Sequence, residues 1–292
     1  MKISTVLNKK TPSLSFEVFP PKTDAAFDSI KRATDEIASL SPAFMSVTYG
    51  AGGGTSRYTL EIAKNIMDSY GTPTLAHLTC VSSTRETVRE RIAEIRALGI
   101  KNVMALRGDI PKGEEYLTRD YMHAIELVRE LREADADFCI GGACYPEVHP
   151  ESKSREDDLR YLKEKADAGL DFLTTQMFFD NRLFFDFLDR ARAEGISLPI
   201  IPGIMPITNT AQIERAVNLS GSYLPPEFMS LVHKFGADAT AMKQAGIDYA
   251  IGQIASLFES GVTNVHVYTM NKPEVARSIL SGLSGILENN EK

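Results

Sequence analysis

The chain has 292 residues, 43% of them hydrophobic and 24% charged, a composition typical of a soluble globular protein with a sizeable core. Its net charge of −7 disfavours non-specific nucleic-acid binding. The three cysteines, Cys80, Cys139 and Cys144, form no C-x-x-C pair, which argues against a disulfide scaffold or a structural zinc site. Neither a signal peptide nor a membrane span of about 20 apolar residues is apparent, so a cytoplasmic protein is expected.

Short β-rich runs alternate along the chain with segments of helical periodicity. The eight runs begin at Leu14, Phe44, Thr74, Asn102, Phe138, Phe172, Pro199 and Asn264. Between them, residues 84–98, 155–168 and 181–194 repeat apolar positions at intervals of three and four, which predicts amphipathic helices. A glycine follows each of these segments, which is a common way for a helix to end.

The last connection between predicted strands, about residues 207–263, is long enough to hold additional structure. It predicts extra helix around Pro225 and Pro226, and then a helix from about Asp238 to Glu259. No linker or low-complexity tract divides the chain, so we expect residues 1–292 to form a single domain.

Strands that alternate with helices predict a parallel sheet. Eight such units within 292 residues predict the α/β class and a (β/α)8 TIM barrel. A doubly wound open sheet is the alternative, but it usually carries a Gly-rich phosphate turn after its first strand. Here the first strand runs into Pro20, Pro21 and Lys22 instead.

Polar residues gather where the predicted strands end, which is the edge that carries the active site in barrels of this type. In chain order they are Glu17, Thr48, Tyr49, His77, Thr79, Arg107, Gly108, Asp109, Tyr145, Glu147, His149, Thr175, Gln176, Tyr268, Asn271 and Lys272. A lone buried carboxylate is costly, so a functional role is favoured for Glu17. Considered alone, Asp109 is as consistent with a residue of a turn as with a functional residue. The glycine run from Gly50 is by default explained as a flexible turn. His77 alone is more typical of a core histidine, and His266, within the last strand, is also a candidate for the core.

Several catalytic motifs are missing from the sequence, and their absence argues against several classes of reaction. No strand interior carries a lysine, which disfavours a Schiff-base aldolase. No H-E-x-x-H and no H-x-H on the first strand occur, so no metal is expected, and G-x-S-x-G and P-loop motifs are also missing. One carboxylate with amides, hydroxyls and aromatic rings suits an organic cofactor that performs the chemistry while the protein binds and protonates.

Eight segments, in order from about residue 14 to about residue 272, closely resemble signature segments of the methylenetetrahydrofolate reductase family. They are S-F-E-V-F-P-P-K from Ser15, S-V-T-Y-G-A-G from Ser46, H-L-T-C from His77, A-L-R-G-D from Ala105, A-C-Y-P-E-V-H-P from Ala143, T-Q-M-F-F-D from Thr175, I-P-G-I-M-P from Ile201 and V-Y-T-M-N from Val267. The resemblance implies a flavin-dependent (β/α)8 barrel. In such an enzyme NADH or NADPH reduces bound FAD, and the flavin then passes a hydride to 5,10-methylenetetrahydrofolate. The two substrates use one site in turn, and the 5-methyltetrahydrofolate product serves methionine synthesis. The resemblance also implies a homo-oligomer, while the net charge and the lack of a long apolar stretch predict no nucleic-acid or membrane partner.

Residue roles follow from the same resemblance. Glu17 resembles the general acid that assists opening of the imidazolidine ring, and its apolar sequence neighbours predict a raised carboxyl pKa. Asp109 resembles the aspartate near the flavin that bonds the pterin. The positions expected to hold FAD are Thr48, Tyr49, Ala51, His77, Arg107, Gly108, Asp109, Tyr145, His149, Asp158 and Lys165. The positions expected to contact substrate are Gln176, Gln212 and Lys272. Arg107 and Lys165 would supply the cations that a pyrophosphate needs.

The chain also departs from the family pattern. Relatives often carry an arginine at Lys272, and some carry Asn and Arg at Tyr161 and Glu164. Two other functions remain as alternatives: a flavin barrel of another kind, such as a proline-dehydrogenase-like oxidase, and a folate- or flavin-binding protein without catalysis. The sequence motif around Glu17 argues against the oxidase, and Glu17 itself argues against a binding protein, because mere binding does not require it.

Overall fold

The computed structural model describes residues 1–49, 56–110 and 119–288. Its parallel strands form one sheet in the order β7-β6-β5-β4-β3-β2-β1-β9-β8. Their bounds are β1 Ser13–Val18, β2 Met45–Val47, β3 Thr74–Thr79, β4 Asn102–Leu106, β5 Cys139–Cys144, β6 Phe172–Thr175, β7 Ile200–Ile201, β8 Gly203–Ile204 and β9 Asn264–Tyr268.

The two ends of this sheet are joined by a single residue, Pro202. Proline has no backbone N–H and interrupts a ladder of hydrogen bonds, so one predicted strand is divided into β7 and β8. β7 pairs with β6, whereas β8 pairs with β9, and the His266 N–H donates to the Pro202 carbonyl at 2.9 Å. The sheet is therefore nearly closed around the barrel, and the predicted (β/α)8 TIM barrel is confirmed.

Helices surround the barrel. Their bounds are α1 Ile3–Leu7, α2 Phe27–Ala38, α3 Ser56–Tyr70, α4 Arg85–Ala97, α5 Ala124–Ala134, α6 Arg155–Asp167, α7 Asn181–Ala193, α8 Thr210–Ser220, α9 Pro226–Phe235, α10 Ala239–Glu259, α11 Pro273–Gly282 and α12 Ser284–Glu288. The predicted amphipathic helices are α4, α6 and α7, and each begins at a side-chain cap: Thr84, Ser154 and Asp180. Within the described ranges, no helix has the length and apolar character that crossing a membrane requires.

The long last connection contains α8, α9 and α10, and the two helices predicted there are confirmed. Asp238 caps α10 by accepting from the Thr240 and Ala241 N–H groups at 2.9 and 3.0 Å. At Gly246 this helix approaches the loop after β8 so closely that a Cβ would lie 1.6 Å from the Ile207 carbonyl oxygen. The helix can pack there only because the position has no side chain.

Helix α1 closes the amino-terminal end of the barrel and was not predicted from the sequence. The Ile3 N–H donates to Asn102 Oδ1 at 2.7 Å, and Asn102 Nδ2 donates to the carbonyls of Met1 and Thr74 at 3.2 and 3.0 Å. Ile3 and Leu7 then pack in a buried cluster with inward-facing barrel residues such as Phe172. The barrel is thus filled from below, which leaves its carboxyl-terminal end for a cavity.

Candidate active site

A cavity of about 420 Å³ lies at the carboxyl-terminal ends of the strands. Most of the residues predicted for the site line it, and they come from strands, loops and one helix, α6, that are far apart in sequence. They are Glu17, Thr48, Tyr49, His77, Arg107, Gly108, Asp109, Tyr145, His149, Lys165 and Gln176. Ala51 and the glycine run from Gly50 lie outside the described residues. In the described part of the chain, no group of three or more His, Cys, Asp or Glu residues is arranged to hold a metal.

Glu17 stands at the inner wall of the barrel, with a side chain that is 21% exposed. Ser46 Oγ donates to its Oε2 at 3.1 Å and lies 3.0 Å from His266 Nε2. The other ring nitrogen, Nδ1, lies 2.7 Å from Ser15 Oγ. If the Ser46 hydroxyl donates to Glu17, its oxygen accepts from Nε2–H of His266, and Nδ1 accepts from Ser15. A continuous buried chain of hydrogen bonds therefore ends at the carboxylate.

The pKa of Glu17 differs from the sequence prediction. Phe16 and Val18 are fully buried and pack toward the helices, because successive side chains of a strand point to opposite faces. Burial alone would raise the pKa of the Glu17 carboxyl, but the imidazoles of His266 and His77 favour its charged form, and the pKa lies below its ordinary value. Burial lowers the pKa of His77, whose Nε2 is 3.6 Å from the carboxylate. Phe16 and Val18 therefore do not form the expected apolar surround, and the direction of the pKa shift is opposite to the one that such a surround would give.

Tyr268 closes the cavity beside Glu17. Its hydroxyl donates to the Thr175 carbonyl at 2.6 Å, and Thr175 Oγ1 accepts from the Gly203 N–H at 2.8 Å. A Cβ on Gly203 would lie 2.4 Å from the tyrosine oxygen, so the contact requires glycine. Burial raises the pKa of Tyr268 well above its ordinary range, so the phenol stays neutral and fixes the strand end that precedes Gln176.

The loop after β4 places two charged side chains, Arg107 and Asp109, and a closely packed glycine, Gly108, at the cavity. Gly108 has φ +84°, and a Cβ there would lie 3.0 Å from Thr79 Cβ. Asp109 is exposed at the rim, whereas the Arg107 side chain is 18% exposed. Arg107 donates from Nη1 and Nη2 to the two carboxylate oxygens of Glu151 at 2.5 and 2.6 Å.

Asp158 and Lys165 share one side of α6 but contact different structures. Lys165 reaches the cavity wall, where Nζ donates to the Ala143 carbonyl at 2.6 Å and burial lowers its pKa. The Asp158 oxygens accept from the His149 N–H at 3.2 Å and from Ser152 Oγ at 2.8 Å. Asp158 thus holds the turn after β5 and does not line the cavity.

Gln212 and Lys272 also lie outside the cavity, and each forms a hydrogen bond with Thr208. Gln212 Oε1 accepts from the Thr208 N–H at 2.7 Å, and Lys272 Nζ donates to Thr208 Oγ1 at 2.7 Å. Burial lowers the pKa of Lys272. Beside it, Asn271 pairs with the backbone of Phe19 through two hydrogen bonds of 2.9 Å, which ties the end of β9 to the exit of β1.

Sequence reasoning missed Ser15, Ser46 and His266 as parts of the site. Strand alternation could have found them: Glu17 pairs with Ser46 in β2, and Ser15 with His266 in β9. A polar residue at each inward position next to a buried carboxylate is a usable signal.

The amino-acid sequence matches the family model described as methylenetetrahydrofolate reductase over residues 2–284. A 5,10-methylenetetrahydrofolate reductase from Escherichia coli is 38% identical over 267 residues, covering 91% of this chain and 89% of that protein. Methylenetetrahydrofolate reductase (NADH) 1 from Arabidopsis thaliana is 36% identical and covers 98% of this chain, which spans 51% of the plant protein.

Among solved structures, the barrel is similar to an uncharacterized Clostridium thermocellum protein that binds two copies of 5-methyl-5,6,7,8-tetrahydrofolic acid. The TM-score is 0.67 at 14% identity, with 97% of this chain and 98% of that one covered. A 2,3-dimethylmalate lyase gives a TM-score of 0.55 at 10% identity, with 99% and 86% covered. At such low identities these two show the fold alone. The family model and the closely matching sequences show more: this chain belongs to the methylenetetrahydrofolate reductase family of oxidoreductases.

Proposed function

We propose that this chain reduces 5,10-methylenetetrahydrofolate to 5-methyltetrahydrofolate with FAD as the bound hydride carrier and NADH or NADPH as the donor. The observation that carries the proposal is Glu17, a carboxylate at the barrel mouth that ends a chain of hydrogen bonds through Ser46 and His266. The plant relative's name specifies NADH, and the bacterial structural neighbour binds a methylated folate; both support the assignment. We infer one catalytic barrel over residues 1–292, in a cytoplasmic homo-oligomer that supplies methyl groups for methionine synthesis.

The cavity fits a flavin dinucleotide. Its volume falls within the range of cofactor sites, and Gly108, where a Cβ would lie 3.0 Å from Thr79 Cβ, lets the backbone pass close to the cavity wall. Arg107 and Lys165 place two cations on its wall, as a diphosphate requires in a protein of net charge −7. When bound, FAD would accept a hydride from the nicotinamide and deliver one to the folate.

Glu17 would hold and move the proton in this reaction. Protonation of a ring nitrogen of the folate substrate by the Glu17 carboxyl opens the imidazolidine ring to a cationic iminium. Since the pKa of Glu17 is lowered, the carboxyl is mostly charged near neutral pH and must be reprotonated in each cycle. Ser46 can accept a proton from His266 Nε2 while it donates one to Glu17, so the buried chain offers a route.

Asp109 would act through charge. It is exposed at the rim of the cavity and on the same loop as Arg107. A carboxylate there attracts the iminium cation and so favours the opened substrate. Gln176, which follows β6 in the cavity wall, offers an amide that can bond either substrate in turn.

Anaerobic stopped-flow spectroscopy tests the proposal. The purified protein should be yellow, and its flavin absorbance should bleach with NADH or NADPH and return on addition of 5,10-methylenetetrahydrofolate. A colourless protein that takes up no FAD on titration would refute it. Bleaching without reoxidation by the folate, but with turnover of an amino acid, would favour the oxidase alternative.

A further inference from the structure

Glu151 forms a bidentate ion pair with Arg107, a residue that lines the cavity. Both of its oxygens accept from Arg107, with Nη1–Oε2 at 2.5 Å and Nη2–Oε1 at 2.6 Å, while Arg107 Nε donates to the Gly108 carbonyl at 3.0 Å. The Arg107 side chain is 18% exposed and that of Glu151 is 58% exposed. Arg107 lines the cavity and Glu151 does not, so the carboxylate holds the guanidinium from the solvent side.

The position of Glu151 is set by its own turn. The Glu151 N–H donates to His149 Nδ1 at 3.1 Å, and the Ser152 N–H donates to the His149 carbonyl at 2.9 Å. Asp158 then fixes both ends of this turn through the His149 N–H and Ser152 Oγ. The carboxylate is therefore presented to Arg107 by ordered backbone.

The parallel N–H pair of an arginine is the group that binds carboxylates and phosphates bidentately. Glu151 already fills that pair, and Lys165, the other lysine or arginine among the described residues that line the cavity, donates to the Ala143 carbonyl. We propose that Glu151 is an internal competitor for the FAD diphosphate, which must displace it from Arg107 to bind. This inference rests on the proposed function. The lowered pKa of Glu151, caused by the hydrogen bonds from Arg107, keeps the competitor charged.

Flavin binding measures the competition directly. Full-length protein freed of flavin is titrated with FAD, and Kd is obtained from the quenching of flavin fluorescence. Glu151→Gln should tighten FAD binding about five-fold, the scale of one partly exposed ion pair. It should leave the Kd of riboflavin, which has no phosphate, unchanged. Arg107→Gln should weaken FAD binding, and in that background Glu151→Gln should have no further effect.

A matched control is Glu36→Gln. Glu36 also accepts from both terminal nitrogens of an arginine, Arg277, at 3.1 Å and is 53% exposed, but it lies on α2 away from the cavity. Its substitution should not change Kd. If wild-type protein binds no FAD, the proposed function itself fails. If it binds FAD but Glu151→Gln leaves Kd unchanged, weakens it, or tightens riboflavin equally, only the competitor role is overturned. The riboflavin comparison needs only the exposed Glu151 substitution, so it stays decisive even where Arg107→Gln does not fold.

Discussion

Glu17 is the residue on which the proposed acid catalysis depends. Replacing its carboxyl with a group that cannot donate the proton should slow the folate half-reaction and spare the nicotinamide half-reaction. Glu17→Gln keeps the shape and a hydrogen-bonding group beside Ser46, so FAD binding and reduction by the nicotinamide should persist. Reoxidation by methylenetetrahydrofolate should slow about 10²- to 10⁴-fold, the usual contribution of a general acid. Stopped-flow measurement of each half-reaction checks this. Equal loss in both would instead assign Glu17 to folding or flavin binding.

Ser46 lowers the pKa of the Glu17 carboxyl. Its hydroxyl donates to Glu17 Oε2 at 3.1 Å and so favours the charged form. A general acid works protonated, so the folate half-reaction should slow as pH rises above the pKa of Glu17. Ser46→Ala removes the hydrogen bond and should raise that pKa, which moves the decline to higher pH. The nicotinamide half-reaction of the same variant is the control, and a shift to lower pH would contradict the assignment.

Helix α10 shows how one element is fitted to the barrel, and two of its glycines predict opposite effects. A Cβ at Gly246 would lie 1.6 Å from the Ile207 carbonyl oxygen, whereas at Gly252 nothing lies within 4 Å. Gly246→Ala should lower the free energy of unfolding by about 3 kcal/mol because the helix must move away from the loop after β8. Gly252→Ala should raise it by about 1 kcal/mol through helix propensity. Urea unfolding measures both, and equal effects would mean that α10 does not pack as described.

Other elements show what the sequence predicts well and what it does not. Helices α4, α6 and α7 have long apolar stripes with side-chain caps at one end and a glycine after the other, so periodicity places them to within two residues. Helix α1 has only five residues, too few for a period to show, and it is held by Asn102, about 100 residues away. The break at Pro202 could not be predicted either. The division into β7 and β8 follows from the pairing of β7 with β6 and of β8 with β9, which exists only in the closed barrel.

At the scale of the whole molecule, strand order determines which side chains can meet, and the loops determine which do. Glu17 and Gln176 were expected where strands end, and both line the cavity at the carboxyl ends of the strands. Asp158 was expected to contact the cofactor because of the family resemblance, and in the structure its oxygens hold the 149–152 turn. Arg107 and its partner Glu151 lie on different loops, and no local pattern links them. The edge of the site could thus be predicted from the sequence, and the contacts between its loops could not.

Cofactor binding should be visible in the stability of the whole barrel. A ligand that binds only the folded state adds about 2.7 kcal/mol at roughly 100 times its Kd. For a chain of this size that corresponds to a rise in Tm of roughly 5 °C. Thermal unfolding followed by circular dichroism is the measurement, with riboflavin at the same concentration as the comparison. Riboflavin lacks the diphosphate that Arg107 and Lys165 would hold, so its shift should be smaller. An FAD shift no larger than the riboflavin shift would show that the two cations do not bind the diphosphate.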